Sequence, residues 1–553
     1  MSENLRFLRK VKLFKKFTIG FILILDYLKI FPFVVPLINW AMRVTKIGRQ
    51  WNSNLNYRYF SKSFANAFDS ANKEEKTVVF FFAMGSESSS LLRQLILAKF
   101  LEKKTWNVKF VFCNGALEIC HKERIGKNRN DTNLFCTECA WGYNHISKVT
   151  KLNIDYLDSY ILSDEITNRI NELNSVDDCE NYCSNGGSPI GQLVNVNVLR
   201  YFYKGQLDNT PEELRIYKKF ILATEKSVNS LNNYFSSNSV DLSILINGSG
   251  NFDQSVIFCS QKHKVPYITQ EFFIGSNSWI YKKNGIAIHL DFIKEWEQSS
   301  KKNLNDLEKK ELYNLFSNLK TGANLDVKLQ GKDENVDHLT PGVVLFTNLN
   351  FDTYVLGRNN IFSSMNEWLL ETIDFWKKNY KKLPLYIRIH PGESKMITAT
   401  NTFTRDLLHG KAAENIIIID SNSEINSYAL LKKAKYVITY SSTIGVESML
   451  LKIPCVSAGE PFYNYFSRSP KSKSNYFEIL KNWNSEEFDW NINLEELESY
   501  LHFLYLKRTK QLKGYNVNRV RGIIELNELQ QHQELIELNK KFLEEFYTDC
   551  IEE

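Results

Sequence analysis

The sequence predicts an α/β protein of two Rossmann-like domains facing a cleft, with a basic, apolar arm at the N-terminus and a helical tail at the C-terminus. Three observations lead there. From residue 77 short apolar runs alternate with stretches of helical periodicity. A polar, turn-rich stretch at 322–341 interrupts that alternation and reads as a linker. The positive charge is confined to the first 50 residues, leaving the body of the chain electrically balanced. A length of 553 residues fits about three or four units at roughly 150 residues each. With 43% hydrophobic and 24% charged residues, a large core is available and wholesale disorder is excluded. Nine cysteines are too sparse for a disulfide-stapled scaffold, which points to a reducing, cytoplasmic setting.

The arm, residues 1–65, comes first. Residues 1–50 hold ten Lys and Arg against Glu3 and Asp26, a net of +8, so the remaining 59 basic and 61 acidic side chains nearly cancel. A balanced body gives no basic face for nucleic acid. Behind the basic cluster Arg9 to Lys16 the chain is apolar to Met42, but Asp26, Lys29, Pro32 and Pro36 interrupt it. Two charges and two prolines argue against a clean span, and no small-residue cleavage site follows. The arm reads as an interfacial segment on an anionic membrane surface, at the inner face of the cell membrane, with packing on the protein's own body as the alternative.

The first block, 70–330, shows a buried strand at 77–83, a helix at 89–102 and a second strand at 107–113. Residues 150–235 are helical in pattern, and strand, helix and strand recur at 242–247, 253–263 and 266–270. In the second block, 340–485, strands are read at 343–347, 385–389, 416–420, 436–440 and 454–457, with helices at 362–380, 424–433 and 446–452. That order implies a parallel sheet covered on both faces. Residues 486–553 are mostly charged helix, with Leu526, Leu529, Leu535, Leu538 and Phe542 giving an irregular apolar stripe. Ligands of such sheets sit beyond the carboxyl ends of the strands, so chemistry is sought on the loops there.

Two loops of the second block stand out. One strand delivers Arg388, His390 and Glu393 within Arg388-Ile-His-Pro-Gly-Glu393; another runs into Ser441, Ser442, Thr443 and Gly445 and then a helix bearing Glu447. Hydroxyls and free N–H groups at a helix start suit a phosphate, a neighbouring imidazole and guanidinium stabilise a departing nucleotide without a metal, and Glu447 accepts from ribose hydroxyls. Each feature has an ordinary structural reading as well, an N-cap for Ser-Ser-Thr and a turn for His-Pro. Their recurrence on successive strands favours a nucleotide site. No GxGxxG follows a strand, against an NAD or FAD enzyme.

Arg388-Ile-His-Pro-Gly-Glu393, Tyr440-Ser-Ser-Thr-Ile-Gly-Val-Glu447 and Lys452-Ile-Pro-Cys-Val456 resemble the donor half of bacterial capsule and lipopolysaccharide glycosyltransferases of the GT-B superfamily. Thr347-Asn-Leu-Asn-Phe-Asp-Thr353 with Gly357-Arg-Asn-Asn-Ile-Phe362 is similar to the segment opening that half, and Asn247-Gly248 and Gln270-Glu271 to loops facing the acceptor. The resemblance covers roughly 75–480. It implies an inverting transferase that moves a sugar from a nucleotide-sugar to a surface glycan or lipid-linked precursor, with no cofactor required for catalysis. His-Pro with Ser-Ser is also similar to sialyltransferases, Kdo transferases and CDP-glycerol polymerases, which tilts the donor towards a cytidine nucleotide. The rivals are a polyol-phosphate transferase using CDP-glycerol and a non-catalytic scaffold of a polysaccharide assembly complex.

Such a transfer needs a base for the attacking hydroxyl. Glu87, in the loop after the first strand, and Glu271 are the candidates, each with a plainer reading as a helix-start or solvated loop acid. Arg200 reads equally as a contact for an anionic acceptor or as half of an interhelical ion pair. Cys120, Cys136 and Cys139, in a C-x15-C-x2-C spacing, form an incomplete zinc pattern, with Cys113, His121 or His145 as a fourth ligand and reduced thiols as the alternative; Cys179 and Cys183 are further candidates.

Overall fold

The computed structural model describes residues 62–68, 76–82, 88–113, 117, 119–121, 139, 143, 146–158, 160–273, 278–299, 303–318, 335–352, 354–358, 361–396, 404–483, 492–514, 516–518, 523–525 and 531–552. Most of the arm, together with Glu87, Cys136 and His145, therefore lies outside the described residues.

The first lobe is built on β1 (Thr77–Phe82), β2 (Asn107–Phe112), β3 (Ile154–Tyr156), β4 (Leu242–Ile246), β5 (Tyr267–Glu271) and β6 (Ser278–Lys283). Every residue of Thr-Val-Val-Phe-Phe-Phe in β1 is buried, because parallel neighbours β2 and β4 flank it and helices cover both faces. One face packs on α1 (Ser88–Lys103) and the other on α2 (Ile190–Phe202), α3 (Pro211–Ser237) and α4 (Asn251–Lys262). The 27 residues of α3 begin with a reciprocal Thr210/Glu213 capping box and Pro211 in the first turn. Two strands escape the sequence reading. The three residues of β3 fall in the region read as helical, and β6, antiparallel to β5, follows a turn rather than a helix.

The second lobe holds β7 (Gly342–Phe346), β8 (Leu385–Arg388), β9 (Ile416–Ile419), β10 (Ala434–Thr439) and β11 (Cys455–Ser457), all parallel. Between them run α5 (Met365–Asn379), capped by Ser364, and the short α6 (Ser427–Leu431) and α7 (Ile444–Leu450). The strand order is β11-β10-β7-β8-β9, and the parallel part of the first sheet runs β5-β4-β1-β2-β3. Counted within each lobe, both are 3-2-1-4-5, so the expectation of two Rossmann-like domains holds. In each the order reverses between the first and fourth strands, which opens a crevice between the loops that follow them.

The segment 486–553 is more than a helical tail. Its helix α8 (Leu494–His502) packs on the second lobe, where the Tyr500 hydroxyl donates to the carbonyls of Leu290 and Phe462, 3.2 Å each, one from either lobe. The chain then adds β12 (Lys510–Gln511) to the edge of the first sheet beside β6. Finally α9 (Lys540–Tyr547) sets Phe542 4.8 Å from the Trp279 ring on the α1 face. Burying Leu535 and Phe542 there accounts for part of the apolar stripe, while Leu538 stays exposed.

Candidate functional site

In the second lobe β7, β8 and β10 end in register, Phe346 beside Arg388 and Thr439, so three loops open at one edge. They are tied together. The His390 N–H donates to Thr347 Oγ1 at 3.0 Å and the Ser441 N–H to Asn348 Oδ1 at 3.2 Å, which fastens the loops after β8 and β10 to the loop after β7 at the switch point. His390 Nδ1 accepts the Gly392 N–H at 3.0 Å. Its lone pair is thereby engaged, and the neutral ring carries its proton on Nε2. Burial pushes the imidazole down to about 4; the nearby Arg388 adds to this and Asp352 opposes it. At neutral pH His390 is a fixed, uncharged hydrogen-bond donor.

Ser441 is 1% exposed and its Oγ has no hydrogen-bond partner among the described residues. The N–H groups of Ser442 and Thr443 are likewise untaken by any hydrogen bond among the described residues. Thr443 is exposed and makes no side-chain cap, so the plain N-cap reading of this hydroxyl does not apply. The seven residues of α7 make only about two turns, and the donors of the loop rather than a long dipole would hold an anion.

Other predicted residues serve the scaffold. Arg388 is 1% exposed and donates to the Asp420 carbonyl, to Ser427 Oγ at 3.4 Å and to the Ser423 carbonyl at 3.5 Å, pinning the loop after β9; burial brings its pKa down to about 10. Glu393 is buried, which raises its pKa, and accepts the Arg405 N–H at 3.4 Å. Gly445 is required by packing: a Cβ there would stand 2.3 Å from the Tyr463 hydroxyl oxygen, which itself donates to the Ser442 carbonyl from beneath the loop. Glu447 is half-buried and within electrostatic reach of Tyr505, on the α8 side of its helix.

In the first lobe the turn after β4 runs through Asn247 at φ 64° and Gly248 at φ 84°. The left-handed pair folds the chain back so that the Asn247 amide donates to Glu271 Oε2, while Glu271 Oε1 takes the Phe272 N–H at 2.7 Å. Asn197 of α2 donates to the Ser249 carbonyl at 3.2 Å, fastening the helix that carries Arg200 to the same turn. Glu87, between β1 and α1 in the sequence, lies outside the described residues. Cys120 and Cys139 are described; among the described residues no three His, Cys, Asp or Glu gather where they could hold a metal ion.

The lobes meet along the loop after β7. Tyr203 lies edge-on to Phe351, ring centroids 5.0 Å apart, Ser364 Oγ donates to Gln206 Oε1 at 3.4 Å, and Arg358 Nη1 donates to the His289 carbonyl at 3.0 Å. Asp352, exposed on this loop, acts electrostatically on His390 of its own lobe and on Arg200 of the other, and Arg200 also feels Glu271. His390, Arg200 and Glu271 are thus linked electrostatically across the lobes, the first two through Asp352. Asn348 and Asp352 lay inside a motif quoted from the sequence, yet no role attached to either, because their partners come from 93 residues away and from the opposite lobe.

Residues 323–476 match the family model described as capsule polysaccharide biosynthesis protein. The match falls on the second lobe and includes every donor-side loop described above, so the resemblance read from the motifs holds over that segment. No curated protein sequence matches the chain. Among solved structures it is similar to the Thermosulfurimonas dismutans KpsC β-Kdo 2,4 transferase, at 15% identity over 54% of this chain and 88% of that one, TM-score 0.34. The β-Kdo 2,7 transferase of the same protein aligns at 13% identity over 57% and 90%, TM-score 0.31. A UDP-N-acetylglucosamine 2-epimerase from Rickettsia bellii aligns at 11% identity over 85% and 98%, TM-score 0.27.

Proposed function

We infer that this chain is a glycosyltransferase of capsule polysaccharide biosynthesis, which takes a sugar from a nucleotide donor held by the second lobe and passes it to a glycan or lipid-linked acceptor presented by the first. The observation that carries this reading is the donor cluster at the second switch point: a buried Ser441 hydroxyl and two N–H groups without partners among the described residues, and a neutral His390, braced by Thr347 and Asn348. Uncharged donors on neighbouring loops suit a phosphate that gains charge as it departs.

In the inverting reaction proposed here, the acceptor hydroxyl attacks the anomeric carbon and its proton passes to Glu271. The bond from that carbon to the nucleotide phosphate oxygen breaks with its electron pair on the oxygen, where Ser441, the 442–443 amides and His390 Nε2–H receive the charge. Arg388 contributes by fixing the loop after β9 rather than by touching phosphate. No cofactor enters these steps. The cytidine preference, the location at the inner membrane face through residues 1–65, and a structural zinc through Cys120, Cys136 and Cys139 belong to the same reading, supported by the sequence patterns alone.

A thermal-shift panel of CMP, CDP, UDP and GDP tests the site. Binding to the native state raises the melting temperature, and at a nucleotide concentration 100 times Kd the stabilisation is about 2.7 kcal/mol. The reading requires at least one nucleotide to stabilise the protein and Ser441→Ala to weaken that effect. If none does, it is wrong.

A further inference from the structure

Arg200 stands apart from the other partly buried arginines. Arg169, Arg358 and Arg508 each donate to two protein acceptors. The Arg200 guanidinium makes no hydrogen bond or ion pair among the described residues, which disposes of the interhelical ion pair that its place in the sequence allowed. Its helix is well anchored. Gly191 packs so closely on the Cys179 carbonyl that a Cβ would lie 2.0 Å from it, the Tyr217 hydroxyl donates to the Gly191 carbonyl at 3.2 Å, and Asn197, one turn before Arg200, is held by Ser249. On the far side, Val196 and Gly205 close against Gly357 and Asn350 of the second lobe, at 3.3 Å from the modest volume a Cβ would occupy. Arg200 is therefore held at the lobe boundary with its donors unspent.

Two acids stand nearby without pairing with it. Both oxygens of Glu271 are occupied by Asn247 and Phe272, and Asp352 Oδ1 takes the Tyr354 N–H at 2.9 Å. Arg200 with these two carboxylates sums to a single negative charge. A dianion would be repelled there more strongly than a monoanion, and a monoanion can take the guanidinium fork in a bidentate grip.

We propose that Arg200 is the binding site for a monoanionic oxyanion carried by the acceptor, either the carboxylate of an acidic sugar or a phosphodiester, docked beside Glu271. The proposal rests on the reading of the first lobe as the acceptor side. It is distinct from the donor phosphate site, which lies on the second lobe at Ser441.

Thermal shifts of the full chain test it, with glucuronic acid and galacturonic acid set against glucose and galactose, dimethyl phosphate as the diester probe, and the nucleotide panel run in parallel. At about ten times Kd an acidic probe should raise the melting temperature by roughly 1 °C more than its neutral counterpart. Arg200→Met should abolish that difference and Arg200→Lys retain part of it, while the nucleotide shift of each variant stays as in the wild type and shows that it is folded. Uronic acids responding identifies a sugar carboxylate; dimethyl phosphate responding identifies a diester. The proposal is overturned if no acid outperforms its neutral partner in the wild type, if Arg200→Met keeps the difference, or if that variant instead loses the nucleotide shift. A protein that binds nucleotide but no acid fails this proposal alone; one that binds no nucleotide fails the broader reading.

Discussion

The two lobes share one strand order, yet the described residues at their carboxyl edges carry different chemistry. In the second lobe the crevice offers neutral donors, a serine hydroxyl, backbone amides and an imidazole held uncharged, while its arginine is turned into the scaffold. In the first lobe the corresponding edge carries a carboxyl side chain, Glu271, and a guanidinium, Arg200. A leaving phosphate brings its own charge and needs donors that cost nothing to reorganise, whereas a hydroxyl nucleophile needs a base. The same backbone frame supplies either, depending on which side chains the loops carry.

The comparison breaks most sharply at Glu271. Replacing it with Gln removes the base and leaves one acceptor oxygen for the two hydrogen bonds that Glu271 accepts from Asn247 and Phe272, and turnover should fall by about 10²–10⁴-fold with nucleotide binding unchanged. A variant that loses both would mean that the first lobe does not divide its work this way. Kinetics beside a nucleotide titration read the two separately.

Protonation should expose the second lobe next. The folded His390 has its pKa below the ordinary 6.5, at about 4, so its neutral form is favoured by folding. The associated stability is complete above pH 6.5 and is lost as pH falls through about 4, amounting to at most about 3 kcal/mol. Denaturant melts of wild type and His390→Gln at pH 7.5 and 4.5 isolate it. A stability gap between the two proteins that does not change with pH would show that the imidazole is not held neutral.

The smallest effect is expected at Ser441. Its Oγ has no partner among the described residues, so Ser441→Ala should leave the melting temperature of the free protein nearly unchanged. Nucleotide affinity should drop about 5–10-fold, the worth of one hydrogen bond. A destabilised free protein with unaltered binding would make this serine structural instead.

The division into two α/β blocks was legible along the chain because parallel strands buried on both faces are continuous apolar runs, as Val78 to Phe82 and Val343 to Phe346 show. The donor loops were legible for a related reason, since hydroxyls, histidine and glycine between a strand and a helix leave a local signature. Arg388, Glu393 and Gly445 carried the same signature and serve the frame, because whether a polar group faces the crevice or the scaffold depends on partners such as Ser427, Arg405 and Tyr463 that lie 12 to 39 residues away. The antiparallel edge β6–β12 joins residues more than 200 apart and left no local trace.

Local chemistry and periodicity, which depend on neighbours in sequence, determined by themselves that the chain forms two Rossmann-like lobes and that the loops at 388–393 and 440–447 carry polar donors. Only the packed structure decided which of those groups remain free. It turned Arg388 inward, left the Ser441 hydroxyl and the Arg200 guanidinium without partners among the described residues, and brought Asp352 of one lobe within electrostatic reach of Arg200 of the other. Hydrogen-bond partners and burial are properties of through-space neighbours, and those are assigned only when the lobes close on each other.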